Sequence, residues 1–279
     1  ATDSKEVSFQ QYWYRGGWKD NLEMFWNDFT GNFKLPNRIY KGAKGGVGRD
    51  TSAIAAHLWV EKKAVKKARF LISWSYPNIY NSWNASADKT PWRNYYATVF
   101  KDSVHSAIYS FENWDELYGA TDLFKETLFS STLDDCVIDA VASNLSVLKT
   151  PTCLRLEDGS FYGFEGCMED TGCCEGSCTH VWNYTYALPF LFPNLERSMR
   201  ENDFNYNQRE DGKMSFRLVL PLGSGRSGFR ACVDGQMGGV IKSYRDWKIS
   251  GDGEWLRGLW PKIKKSLEFA WSPATEDRW

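Results

Sequence analysis

Between Ala85 and Pro91 the spacing of apolar residues changes, and that change divides the chain. Downstream, Tyr95, Tyr96, Val99, Phe100, Val104, Ala107, Ile108 and Phe111 recur at helical spacing, with Pro91 placed to open a helix of about five turns. Two more amphipathic runs follow, Asp115 to Phe129 and Leu133 to Leu148, and Thr150-Pro151 ends the second of them. Upstream, SFQQYWY, HLWVE and ARFLISWSYP are rich in aromatic and β-branched residues and are separated by glycine, proline and asparagine turns. They read as strands of an antiparallel β-sandwich, with Phe70, Ile72 and Trp74 on a buried face. The expectation is a multidomain α+β chain, residues 1–85 being a sandwich portion and 86–279 helical. Antiparallel helix pairs joined by loops suit a bundle, a solenoid or an α/α toroid, and no fixed-period repeat selects the solenoid.

Further along, CLRLEDGSFYGF reads as a hairpin turning at Asp158-Gly159, Val181 to Met199 as helical, and SFRLVLPL as strand-like. MGGVIKSYRDWKISGD and EWLRGLWPKIKKSLEFAW read as a helical pair joined through Gly251.

A net charge of -1 gives no sign of a nucleic-acid or anionic-membrane partner. No apolar run reaches the ~18 residues of a membrane span. Aromatic content is 16%, with 14 Trp, which serves either large cores or stacking platforms for sugar rings. Seven cysteines, an odd number without framework spacing, favour free thiols and a reducing, cytoplasmic setting. The opening Ala and the abrupt stop at SPATEDRW read as cut ends, and sequons at Asn84, Asn144 and Asn183 matter only in a secretory host.

The densest chemistry is FEGCMEDTGCCEGSCTHVWNY, residues 164–184. Glu175 sits between thiols and a glycine, ahead of Ser177, Thr179, His180 and Asn183, which can supply hydrogen bonds to an ionised nucleophile. It can equally cap the following helix. Cys167, Cys173, Cys174, Cys178 and His180 offer soft ligands, but the C-x5-CC-x3-C-x-H spacing lacks a zinc knuckle, so neither a metal nor a cofactor is expected. Asp234 in CVDGQMGG is a functional acid or an N-cap. Lys41 to Gly48 lacks the GK[ST] ending of a phosphate loop and reads as a surface loop.

EGSCTHVWNY, LERSMRE, DGQMGGVIKSYRDWKISGD and LWPKIKKSLEFAW together resemble glycoside hydrolase family 116, which contains β-glucosidases and non-lysosomal glucosylceramidases. The resemblance runs over the whole chain. It implies the end of an N-terminal β-sandwich followed by the first part of an (α/α)6 toroid, and a retaining mechanism with Glu175 as nucleophile. A second carboxylic acid would stand about 5 to 5.5 Å away; in the family it is an aspartate of an NTYD- or QTYD-type segment, expected here beyond Trp279. The motif also implies that His180, Trp182, Asn183 and Asp234 serve the substrate. Trp182 would wall or stack on the sugar or else sit in the core; His180 and Asn183 would bond hydroxyls or orient Glu175.

This sequence departs from the family where Tyr186 replaces an aspartate eleven residues after the nucleophile, and where a His-Asp pair after SFRLVLP is missing. Both groups are linked to holding the sugar. A soluble β-glycoside is therefore the expected partner in preference to glucosylceramide, with the oligomeric state open. The alternatives are a noncatalytic carbohydrate-binding or scaffold protein on the same fold, and a metal-stabilised cysteine-rich domain. An incomplete toroid further predicts exposed apolar faces on the C-terminal helices.

Overall fold

The computed structural model describes residues 1–15, 18, 20–37, 50–80, 91–150, 152–163, 165–167, 172–173, 176–226, 228 and 230–271, with the backbone alone at 166–167 and 172–173. In chain order the elements are β1 (Val7–Gln10), α1 (Asp20–Asn32), β2 (Ala53–Ala56), β3 (Asn78–Ile79), β4 (Trp92–Arg93), α2 (Tyr96–Val99), α3 (Ser103–Glu112), α4 (Trp114–Phe129) and α5 (Asp135–Leu145). There follow β5 (Cys153–Arg155), β6 (Phe161–Gly163), β7 (Gly166–Cys167), β8 (Gly172–Cys173), α6 (Ala187–Leu191), α7 (Pro193–Asn202), α8 (Val233–Ser250) and α9 (Gly253–Glu268). Among the described residues every sheet has two antiparallel strands: β1-β2, β3-β4, β5-β6 and β7-β8. The chain is thus α+β, and its helices far outweigh its small sheets. Two compact units divide it, Ala1–Trp74 with Ser103–Asn113, and Ser75–Asp102 with Trp114–Trp279.

In the first unit β1 runs against β2 with Val7 opposite Ala56 and Gln10 opposite Ala53. Gln10 is buried and donates to Asp28 of α1 at 2.7 Å. That helix was missed in the sequence, although Leu22, Phe25, Trp26 and Phe29 have helical spacing and Asp20 and Glu23 suit its first turn. Phe25 stacks on Trp13 with ring centroids 4.2 Å apart.

HLWVE and ARFLISWSYP form no strand beyond an isolated bridge between Thr2 and Phe70. The alternation in ARFLISWSYP is real but inverted relative to expectation. Phe70, Ile72 and Trp74 are exposed, while Leu71 and Ser73 are half-buried. The inward face is set by hydrogen bonding: the Leu71 carbonyl accepts from the N-terminal amine, and Ser73 Oγ reaches the Ser103 carbonyl and Ser106 Oγ of α3. Lys41 to Gly48 lies outside the described residues.

The long helix expected from Tyr95 to Phe111 is broken. Phe100 is extended at φ -112°, ψ 127°, and separates the single turn of α2 from α3. The helices from Asp115 and Leu133 are present, the latter ending in a 3-10 turn over Ser146–Lys149 before Thr150-Pro151. The expected hairpin is β5-β6, with Leu154 opposite Tyr162 and Gly159 at φ +87° in its turn. Val181 to Met199 is split into a 3-10 turn (Val181–Tyr184), α6 and α7; Phe192, at φ -137° and ψ 65°, breaks the helix before Pro193 opens the next. SFRLVLPL makes only the bridge between Arg217 and Cys178, which is what ties it to the central motif.

Helices α8 and α9 form the expected pair. Gly251, left-handed at φ 69°, ends α8, and the Asp252 carboxylate caps α9 by accepting from the Trp255 amide at 3.0 Å. Arg197 of α7 donates to the same carboxylate at 2.9 Å, and Trp255 Nε1 donates to Glu201 at 2.9 Å, so one cap also fixes α7 against α9. Leu259 and Ile263 pack with Phe204 and Met214 in one core cluster. Ile241, Tyr244 and Trp260 point outward from the pair and are exposed.

Between α7 and α8 lies a buried ionic cluster. Arg200 donates to Asp203 at 2.8 Å, and Arg245 reaches Glu196 at 2.6 Å and Asp246 at 2.9 Å. Burial disfavours the Arg200 charge, but Asp203, Glu196 and Asp246 together outweigh it and hold its pKa above the ordinary value. Burial pushes the Asp203 and Asp246 carboxyls up. It pushes the Lys242 ammonium, assisted by Arg200, down to about 7.

Candidate active site

Glu175, the expected nucleophile, lies outside the described residues, as does Cys174. The description resumes at Gly176, whose φ of +71° favours glycine. A Cβ there would stand 1.8 Å from the Leu218 carbonyl oxygen, so only glycine admits this approach. From Gly176 the chain runs beside 216–218. The Leu218 amide donates to the Ser177 carbonyl at 3.3 Å, and the Thr179 amide and hydroxyl donate to the Phe216 carbonyl at 3.1 and 3.0 Å. Ser177 Oγ accepts from the Gly163 amide at 3.3 Å and joins the segment to β6. The residues that follow Glu175 are therefore pinned on both sides by backbone hydrogen bonds.

Trp182 anchors the far end of the segment. It is 4% exposed, edge-on to Phe161 at 6.0 Å, and clustered with Cys178, Leu188 and Met199. A Cβ on Gly163 would meet its ring at 1.7 Å, so the indole lies directly on the backbone of β6. The described geometry thus gives Trp182 a packing role.

His180 and Asn183 meet Asp234 at the start of α8. His180 Nδ1 hydrogen-bonds Asp234 Oδ2, and Asn183 Nδ2 donates to the Asp234 carbonyl at 2.6 Å. The Cys232 thiol and the Gly235 amide both reach Asp234 Oδ1, at 2.6 and 2.9 Å. The imidazole is held edge-on to Tyr184 and tilted against Phe216. Desolvation acts to raise the Asp234 pKa, but the bonds from Cys232 and His180 prevail and hold it below the ordinary value. Burial and the adjoining carboxylate push the Cys232 thiol up to about 11.

Three residues expected near the substrate, His180, Asn183 and Asp234, are thus brought together across more than fifty residues of sequence. Cys232 belongs to the same network and was missed, although it opens the CVDGQMGG stretch in which Asp234 was singled out. A carboxylate kept ionised in this way accepts hydrogen bonds and orients an imidazole; it is poorly suited to donate a proton near neutral pH. Arg217, within the 216–218 stretch, is paired with Glu165 at 2.6 Å. A separate groove of about 670 Å3, lined by Phe124, Leu128, Val137, Val141, Tyr186 and Phe190, is apolar, with no carboxylate among its described lining residues.

No curated protein matches this chain. Residues 1–117 match the family model described as beta-glucosidase 2, glycosyl-hydrolase family 116 N-term. Residues 1–117 are thus similar to the N-terminal domain of glycoside hydrolase family 116.

Proposed function

We propose that the protein is a retaining β-glycosidase acting on a soluble, β-glucoside-like substrate, with Glu175 as nucleophile. The supporting observation is the pinned segment that follows Glu175, which sets His180 and Asn183 on an ionised Asp234 at a partly exposed surface. In this reading the Glu175 carboxylate attacks the anomeric carbon as the glycosidic oxygen leaves with a proton from a general acid. Water then attacks the glycosyl-enzyme ester and restores the carboxylate. His180, Asn183 and Asp234 bond sugar hydroxyls or steady Glu175, and Trp182 walls the segment from the core side. Tyr186 at the position of the missing aspartate points to a hydroxyl pattern read differently from that of glucose-specific members.

A dinitrophenyl β-glucoside is the suitable first substrate, since its leaving group departs with little help from an acid. Hydrolysis should release the β-anomer first, seen by proton NMR, and Glu175→Gln should abolish it in a protein with an unchanged thermal melt. Release of the α-anomer first, or full activity in the Gln variant, would refute the mechanism. A noncatalytic carbohydrate-binding protein is the second reading, favoured by the Tyr186 departure; it predicts saturable sugar binding without turnover.

A further inference from the structure

We propose that His180, Cys232 and Asp234 form a binding site for a zinc-class divalent cation, with solvent as the fourth ligand. One nitrogen, one sulfur and one carboxylate oxygen lie within 4.8 Å of one another. Tetrahedral zinc sets such donors about 3.3 to 3.7 Å apart, given metal bonds of about 2.0 to 2.3 Å. Small side-chain rotations therefore suffice to open the hydrogen-bonded cluster around an ion. The mixed donor set suits a borderline-soft metal better than magnesium or calcium, which prefer oxygen alone.

Two of the three side chains, His180 and Asp234, are held by groups outside the ligand set. Tyr184 and Phe216 hold the imidazole, the Gly235 amide holds the Asp234 carboxylate, and Asn183 holds the Asp234 backbone carbonyl. The side chains of His180 and Asp234 are 38% and 48% exposed, which leaves a path for entry. On binding, the Cys232 proton passes to solvent and the sulfur takes the metal in its place, while His180 binds as neutral imidazole. The ligand set differs from the Cys167, Cys173, Cys174, Cys178 and His180 set visible in the local sequence, since two of its members come from the start of α8. The inference rests on this geometry and stands whether or not the sugar reading holds, although an ion would occupy donors that reading uses.

Cobalt(II) titrated into the reduced, intact chain tests it. The expected result is a sulfur-to-cobalt charge-transfer band that saturates near one equivalent and is bleached by Zn2+. Cys232→Ser should remove the band, Asp234→Asn should weaken Co2+ binding by about tenfold or more, and Cys173→Ser should leave both unchanged. Thermal melts matching the parent confirm that the variants are folded, and the Asn variant serves if the Ser variant is not. The proposal is overturned if the intact chain binds no stoichiometric Co2+ or Zn2+. It is equally overturned if the band survives Cys232→Ser and is lost with Cys173→Ser.

Discussion

Helix α8 carries two clusters of charge that differ in their access to water. At its start, Asp234 is half exposed and keeps its negative charge, held by Cys232, His180 and the Gly235 amide. Further along, Lys242 and Asp246 are buried against Glu196, Arg200 and Asp203, and there both carboxyls of Asp203 and Asp246 are pushed up while the ammonium is pushed down. Each cluster contains an aspartate of α8, and access to solvent sets the two carboxyls apart. A half-exposed network can exchange a partner for a ligand at low cost, whereas a buried one leaves an uncompensated charge when any member is lost. The first cluster is suited to binding, and the second to fixing α7 against α8.

Removing a buried member should have the largest effect. Arg200→Met strands the Asp203 carboxylate and leaves Glu196 with Arg245 alone, and urea denaturation should show a loss of about 3 to 5 kcal/mol. A cost below ~1 kcal/mol would mean that the cluster is as replaceable as a surface pair.

Next comes the backbone that carries the exposed cluster. Gly163→Ala forces Trp182 off β6 and should cost about 1 to 3 kcal/mol, with activity lost in parallel. Unchanged stability would show that Trp182 does not depend on that contact.

The buried cluster should also reveal itself through pH. With the folded Lys242 pKa at about 7 and the ordinary value at 10.5, the unfolded chain holds the extra proton between those limits. This group therefore makes stability rise with pH through that window, by at most about 1.4 kcal/mol per pH unit. The denaturation free energy of the parent minus that of Lys242→Met should rise accordingly. A flat difference would place Lys242 in contact with water.

For the exposed cluster the effect on stability is smallest. Asp234→Asn should change it by no more than about 1 kcal/mol while weakening binding of a β-glucoside in calorimetry. Global unfolding of this variant would erase the distinction between the two clusters.

Much of the helical framework was legible from periodicity, because α4, α5, α8 and α9 each carry an apolar stripe that survives local interruptions. The hairpin around Asp158-Gly159 was legible for a similar reason, its turn chemistry being local. The face of ARFLISWSYP was not, because the Ser73 hydroxyl, bonded to α3, outweighs the apolar alternation. Helix α1 was overlooked among turn-rich neighbours despite a usable stripe at Leu22, Phe25, Trp26 and Phe29. At the site, His180 and Asn183 were readable from the motif, and Asp234 from its place in a second motif. Their meeting, and the entry of Cys232, depend on α8 returning to the segment after Glu175, which no local pattern encodes.

The central claim is that Glu175 is the group this framework presents to a sugar. A deoxyfluoro β-glucoside with a good leaving group would form the glycosyl ester and slow its hydrolysis, and peptide mass spectrometry then locates the adduct. The account predicts a single glycosyl adduct on Glu175, absent from Glu175→Gln. An adduct on another carboxylate, or none in a folded protein that still turns over the unfluorinated glycoside, would contradict it.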